Sequence, residues 1–359
     1  VADPPAIRVP LTERPRQRFA AGAPRVIVAG ATGFAGALVA QLLWRSDGFE
    51  LVAVTGRSEA GRRLDDLYPR YRVPLAIEPL DVDATESIDA AVVAYPHAAA
   101  APTVAALRER DVRVVDLSAD FRLSKLDTYE RWYGEHPCPE LLARAVYGLP
   151  ELHRERIAQA DLVANPGCYP TASLLGLAPL ARAGLVADVV FDAKQGISGA
   201  GRTFDETTHQ SMAGENILPY KVAEHRHTPE IEEQLQPLRA AGGASDQLAV
   251  LFQAHLVPLD QGELVDCYVT PTRELHDDEL LELYIEAYRE EPFVEVVGAP
   301  PGTREVQATN FCRVFAKADP HSGKVVVLSA IDNLWKGTSS QAVQNLNLMF
   351  GLPEQEGLA

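Results

Sequence analysis

The most constraining stretch of this chain runs from Arg25 to Ser46, where the β-branched RVIVAG breaks into GATGFAG and then into ALVAQLLWRS with helical apolar spacing. A strand turning through glycines directly into a helix is the start of a βαβ unit, and the chain keeps that rhythm. LVAVTG (51–56), AIEPLD (76–81), AAVVAYP (90–96) and VRVVDLS (112–118) read as strands, with APTVAALRER (101–110) as a helix between the last two. The alternation predicts an α/β fold built on a parallel, doubly wound sheet. Gly30, Thr32, Gly33, Phe34 and Gly36 are the expected dinucleotide-binding residues, because the missing side chains of G-x-x-G-x-x-G let a pyrophosphate reach backbone N–H groups and the helix N-terminus. Tight strand–helix packing is the other use of such glycines. The second strand ends VTGRS: Arg57 can pair with a 2′-phosphate and Ser58 can donate to it, which favours NADP, while Glu59 leaves room for NAD.

After about residue 165 the texture changes. VVFDAKQGI (189–197), QLAVLFQAHLVP (247–258), ELVDCYVTP (263–271), NFCRVFAKAD (310–319) and KVVVLSAID (324–332) are longer strands with few helices between them, which predicts a largely antiparallel second sheet. DDELLELYIEAYREE (277–291) is an amphipathic helix expected to cover one face of it, and TSSQAVQNLNLMFGL (338–352) a C-terminal helix expected to return to the first domain. The expected organisation is therefore a flexible tail (1–24), a Rossmann-type NADP-binding domain (25–165, completed by 333–359), and an α+β catalytic and oligomerisation domain (166–332). A length of 359 residues fits two domains.

The net charge of −17 argues against a nucleic-acid partner, and no apolar run approaches the ~20 residues of a membrane span. Small-molecule partners remain. Cys138, Cys168, Cys267 and Cys312 contain no C-x-x-C pair, so no metal site or disulfide scaffold is expected, and reduced thiols suit a cytoplasmic location. The Pro- and Arg-rich tail leaves an organellar matrix as the alternative.

VANPGCYPTA (163–172) sets Cys168 in a constrained turn ahead of a helix. A helix N-terminus stabilises a thiolate, so a lowered thiol pKa and a nucleophilic role are expected, against the commoner fate of an inert buried cysteine. EHRHTPEI offers His225 and His227 as proton carriers; from the residues either could serve. Thiolate, acid/base and hydride carrier together point to chemistry at the aldehyde and acyl level, in either direction. Arg122 in DLSADFRL and Arg202 in GISGAGR are candidate cations for an anionic substrate, although Arg122 could instead pair with Asp116 or Asp120.

Together GATGFAG, VTGRS, VDLSADFRL, YGLPE, NPGCYPTA, SGAGR, HRHTPEI and DNLWKGTSSQAVQNLNLMFG, in order from about residue 25 to 352, resemble the N-acetyl-gamma-glutamyl-phosphate reductase family, relatives of aspartate-semialdehyde dehydrogenase. The resemblance implies reduction of an acyl phosphate with NADPH in arginine biosynthesis. It implies attack by Cys168 to give a thioester, acid/base work by His227 with His225 in reserve, and Arg122 on the substrate phosphate. Ser198 and Gly199 would lie under the reacting centre with Arg202 nearby, and Asn333 near the nicotinamide. It also implies a homodimer or homotetramer. A carrier-linked aminoadipyl or glutamyl phosphate reductase is the alternative enzyme, and a nucleotide sensor that lost the chemistry the alternative class.

Overall fold

The computed structural model describes residues 17–57, 59–83, 87–202, 209 and 213–358. Two seven-stranded sheets organise them. The first is wholly parallel, in the order β3-β2-β1-β4-β5-β7-β6, from β1 (Arg25–Ala29), β2 (Glu50–Thr55), β3 (Ile77–Glu78), β4 (Ala90–Val93), β5 (Arg113–Asp116), β6 (Val146–Tyr147) and β7 (Leu162–Ala164). Its strands are apolar on both faces because helices cover both. Val26 and Val28 of β1 face one layer of the core while Ile27 and Ala29 face the other.

Helices α1 (Phe34–Arg45), α2 (Leu64–Leu67), α3 (Ala101–Arg108), α4 (Leu126–Tyr133) and α5 (Pro150–Ala158) punctuate this part of the chain. The second sheet has the order β12-β13-β14-β11-β8-β10-β9, from β8 (Val186–Gly196), β9 (Leu218–Tyr220), β10 (Leu251–Val257), β11 (Glu263–Pro271), β12 (Val294–Val296), β13 (Cys312–Asp319) and β14 (Lys324–Ile331). Four of its pairings are antiparallel, but β8–β10 and β12–β13 run parallel, so the sheet is mixed.

Helices α6 (Cys168–Arg182), α7 (Thr228–Ala241) and α8 (Asp277–Tyr288) stack on one face of that sheet, burying Leu174, Leu177, Leu235 and Tyr284 against Phe191, Phe252 and Val327. Each such fully buried large side chain contributes about 1.5–3 kcal/mol of transfer free energy. The opposite face is open: Leu251 and Tyr268 are 54% and 38% exposed. The last helix, α9 (Ser340–Met349), packs Val343 and Leu346 against Leu38 and Leu42 of α1, so the chain's end returns to the first sheet. Of the expected tail, Gln17 is docked: its side chain bonds the carbonyls of Leu43 and Phe49 and the N–H of Leu51. Residues 1–16 lie outside the described residues.

Candidate active site

The order of the first sheet reverses between β1 and β4, which opens a crevice at the carboxyl ends of the strands. A cleft of about 940 Å³ occupies it, lined by Gly30, Gly56, Ala94 and Leu117 at the ends of four strands. Gly30 has φ +92°, and a Cβ there would lie 2.5 Å from the Ala94 carbonyl; a Cβ on Gly36 would overlap the Gly30 carbonyl. Gly33 differs. The nearest atom to a Cβ there is 3.8 Å away, so its missing side chain keeps space open at the N-cap of α1. Two glycines shape the turn and the third keeps the cleft accessible, which fits a pyrophosphate.

Phe34 packs edge-on against Tyr68, and Tyr68 Oη donates to the Thr32 carbonyl at 2.8 Å, so Phe34 supports the turn from behind. Arg57 lines the cleft and is exposed; Ser58 lies outside the described residues. Arg202, a substrate candidate in the sequence, stands at this cleft instead. From the second domain it donates to the Thr32 carbonyl (3.2 Å) and pairs with Glu59 (3.2 Å), because the loop after β8 crosses toward β2. Arg202 and Arg62 hold the Glu59 carboxylate below its ordinary pKa, so the acid beside Arg57 is already occupied by cations.

Deeper in, a smaller pocket of about 390 Å³ is lined by Arg122, Cys168, Gln195, Lys221, Arg226 and His227, and it shares Tyr95, Pro96, Leu117 and Gly199 with the dinucleotide cleft. Cys168 is the first residue of α6, with Gly167 as N-cap, and Gln195 Nε2 donates to its Sγ at 3.3 Å. Glu230 in the first turn of α7 accepts from Gly167 N–H (2.9 Å) and Tyr147 Oη (2.8 Å), and its other oxygen lies 3.4 Å from Arg122. Arg122 also donates to the carbonyls of Asn165 and Leu117. It pairs with neither Asp116 nor Asp120: the first accepts from Ser118, and the second from Tyr129 Oη and the N–H groups of Ala98 and Ala101.

His227 is the N-cap of α7, its Nε2 turned toward Gly167 and its Nδ1 buried without a hydrogen-bond partner. His225 differs, since its Nδ1 accepts from the His227 N–H at 3.2 Å. Burial first, then neighbouring positive groups, push His227 well below the ordinary histidine range and His225 down to about 3, so both rings are neutral near pH 7. Ser198 and Asn333 are buried in one network: Asn333 Nδ2 donates to Ser198 Oγ, which donates to the Asp260 carbonyl, and Asn333 Oδ1 accepts from Gly262 N–H. They hold the loop that presents Gly199, where any side chain would collide with Gln195.

The thiol pKa runs against the sequence expectation. Enclosure of the sulfur, then the Glu263 carboxyl, push Cys168 well above the ordinary cysteine value, outweighing the Tyr169 N–H and Arg122, which pull it down. The helix start is present as expected, but desolvation is the larger effect at this sulfur. Among the described residues no group of three or more His, Cys, Asp or Glu is placed to hold a metal, and no helix is long and apolar enough to cross a membrane.

Residues 25–160 match the semialdehyde dehydrogenase NAD-binding domain and residues 168–333 the semialdehyde dehydrogenase dimerisation domain. The N-acetyl-gamma-glutamyl-phosphate reductase of Desulforudis audaxviator is 48% identical over 93% of this chain and 97% of its own length. The chain belongs to the N-acetyl-gamma-glutamyl-phosphate reductase family. The Moorella thermoacetica reductase is 46% identical over 92% of the chain and 96% of its own. The fold alone is shared with aspartate semialdehyde dehydrogenase II of Vibrio cholerae (TM-score 0.70, 17% identity, 92% of this chain and 98% of that one) and with the Candida albicans enzyme solved with NADP (TM-score 0.69, 14% identity, 91% and 98%).

Within this N-acetyl-gamma-glutamyl-phosphate reductase fold the short motifs converge. Tyr147 of YGLPE meets Glu230 of HRHTPEI; Glu151 of the first motif meets Lys336 of DNLWKG at 2.6 Å, both fully buried. Gln195, Glu230 and Glu263 carry no signal of their own along the chain. The contact of Glu230 with the turn before Cys168 is tertiary.

Proposed function

We propose that the chain reduces N-acetyl-L-glutamyl 5-phosphate with NADPH to N-acetyl-L-glutamate 5-semialdehyde and phosphate, a step of arginine biosynthesis, through a thioester on Cys168. The observation that carries this reading is the adjoining pair of pockets: a nucleophile at a helix head opens onto the same Gly199 and Leu117 that wall the dinucleotide cleft. Gly30, Gly33 and Gly36 would hold the pyrophosphate, and Arg57 with Arg202 the 2′-phosphate. NADPH bound there supplies hydride.

Cys168 attacks the acyl carbonyl and phosphate departs beside Arg122. Arg122 is suited to this because it is buried and anchored on backbone carbonyls. Lys221 and Arg226, which line the same pocket, would meet the α-carboxylate. His227, neutral and with Nε2 turned toward the Gly167 turn, gives and takes the proton at the substrate oxygen. The reduced thioester is a thiohemiacetal, whose collapse frees the aldehyde. Self-association as a homodimer or homotetramer would use the open face of the second sheet, where Leu251 and Tyr268 are exposed. We place the enzyme in the cytoplasm.

An arsenate-dependent reverse assay, following NADPH formation from N-acetylglutamate semialdehyde, tests the reading. Strong turnover with NADP and little with aspartate semialdehyde is expected. Silence with the free acetylated substrate, with NADPH still bound, would overturn it in favour of a carrier-linked acyl phosphate.

A further inference from the structure

Glu263 opens β11 in the middle of the second sheet and is fully buried. In register it stands directly opposite Gln195 of β8 on one side and Ile331 of β14 on the other. Directly opposed residues project to the same face of a sheet. Gln195 reaches the Cys168 sulfur on that face, and the Glu263 carboxyl, beside Gln195 in register, acts on the same thiol. Neither carboxyl oxygen has a hydrogen-bond partner among the described residues.

The other titratable groups around it are accounted for. Asp332 is satisfied by the N–H groups of Ala308, Leu334 and Trp335; Tyr169, Tyr220 and Cys312 feel the carboxylate's charge as neutral neighbours; Arg122 pairs with Glu230 instead. No cation among these groups neutralises Glu263. A buried carboxyl without a cation or a hydrogen-bond donor is costly to keep for packing alone.

We propose that Glu263 is the proton acceptor for the Cys168 thiol: the Sγ–H bond breaks, an Oε–H bond forms, and the negative charge moves from carboxylate to sulfur, where Gln195 Nε2 and the Tyr169 N–H receive it. This rests on the reading of Cys168 as nucleophile. Once formed, the thiolate needs no further proton exchange, because thiohemiacetal collapse returns it as thiolate. Glu263 then holds the proton through the cycle and His227 is free to serve the substrate oxygen. Burial pushes the Glu263 carboxyl up to about 8, close to working pH, where a group both accepts and retains a proton effectively. The two groups titrate as a pair.

The test is the pH dependence of Cys168 carbamidomethylation by iodoacetamide, followed on the Cys168 peptide of the full chain, with NADPH binding as the control for folding. Glu263→Gln keeps the shape and removes the acceptor. It should slow alkylation and single-turnover reduction at pH 7.5 by about 100-fold and move the alkylation limb to higher pH, with Glu263→Asp recovering part of the rate. Faster alkylation with the limb at lower pH would mean that the carboxylate only opposes the thiolate, and an unchanged profile would mean that it is idle; either overturns the proposal. Should Glu263→Gln fail to bind NADPH, Glu263→Asp decides, since a rate equal to the parent's also overturns it. Full turnover by Cys168→Ala would instead overturn the nucleophile reading itself.

Discussion

The Glu230 carboxylate accepts the Gly167 N–H at 2.9 Å across 63 residues of sequence, tying the first turn of the helix that carries His227 to the turn that carries Cys168. His227 and Cys168 are thereby held by one buried carboxylate, which also takes the Tyr147 hydroxyl and faces Arg122. Glu230→Ala should lower kcat by about 100-fold, since a displacement near 1 Å at a reacting centre costs that much, while NADPH affinity stays unchanged. Tyr147→Phe, which removes one of three contacts, should cost less. Steady-state kinetics beside fluorescence titration of NADPH separates the effects.

The three glycines of the first turn should behave differently. Gly36→Ala drives a Cβ into the Gly30 carbonyl, and Gly30→Ala combines a φ of +92° with the Ala94 carbonyl at 2.5 Å. Both should destabilise the first domain, by several kcal/mol if the turn cannot relax. Gly33→Ala has room in the protein and should keep its melting temperature yet weaken NADPH binding, because its Cβ occupies the space left for the pyrophosphate. Melting curves with and without cofactor check both halves.

Arg57→Ala should raise the KM for NADPH about tenfold or more and leave that for NADH nearly unchanged, since the guanidinium would meet only the 2′-phosphate. Equal losses with both cofactors would count against the assignment.

Lys336 and Glu151 form an ion pair with no solvent contact, and Gln344 also accepts from the ammonium. Lys336→Met leaves Glu151 buried without its cation and should cost about 3–5 kcal/mol in urea unfolding. The double variant Lys336→Met with Glu151→Leu should recover much of that loss.

Stability should also carry a signature of Glu263. Its folded pKa is raised from 4.5 to about 8, so its favourable contribution is complete below pH 4.5 and is lost as pH rises toward 8. Relative to the parent, Glu263→Gln should therefore gain stability across that interval and hold the gain above it, by a few kcal/mol at about 1.4 kcal/mol per unit. Melting temperatures at pH 5, 7 and 9 give the sign.

Much of this was legible along the chain, because the patterns involved are local. β-Branched apolar runs marked the strands, the glycine turn marked the cleft, and Cys168 behind Asn-Pro-Gly marked a helix head. The second sheet was read as largely antiparallel; its two parallel pairings depend on where the chain crosses, which local pattern does not encode. Arg202 follows a strand and reads as a substrate cation, but the path of its loop brings it to Thr32 and Glu59. A helix start predicts a lowered thiol pKa, whereas enclosure of the sulfur raises it, and enclosure belongs to the assembled structure. The sequence by itself determined the elements and singled out the candidate residues, through apolar patterning and turn chemistry over a few neighbours. Only the tertiary structure decided which carboxylates stand around Cys168, since Glu230 meets Gly167 across 63 residues, Glu263 is set beside Gln195 by sheet register, and burial raises the Glu263 carboxyl.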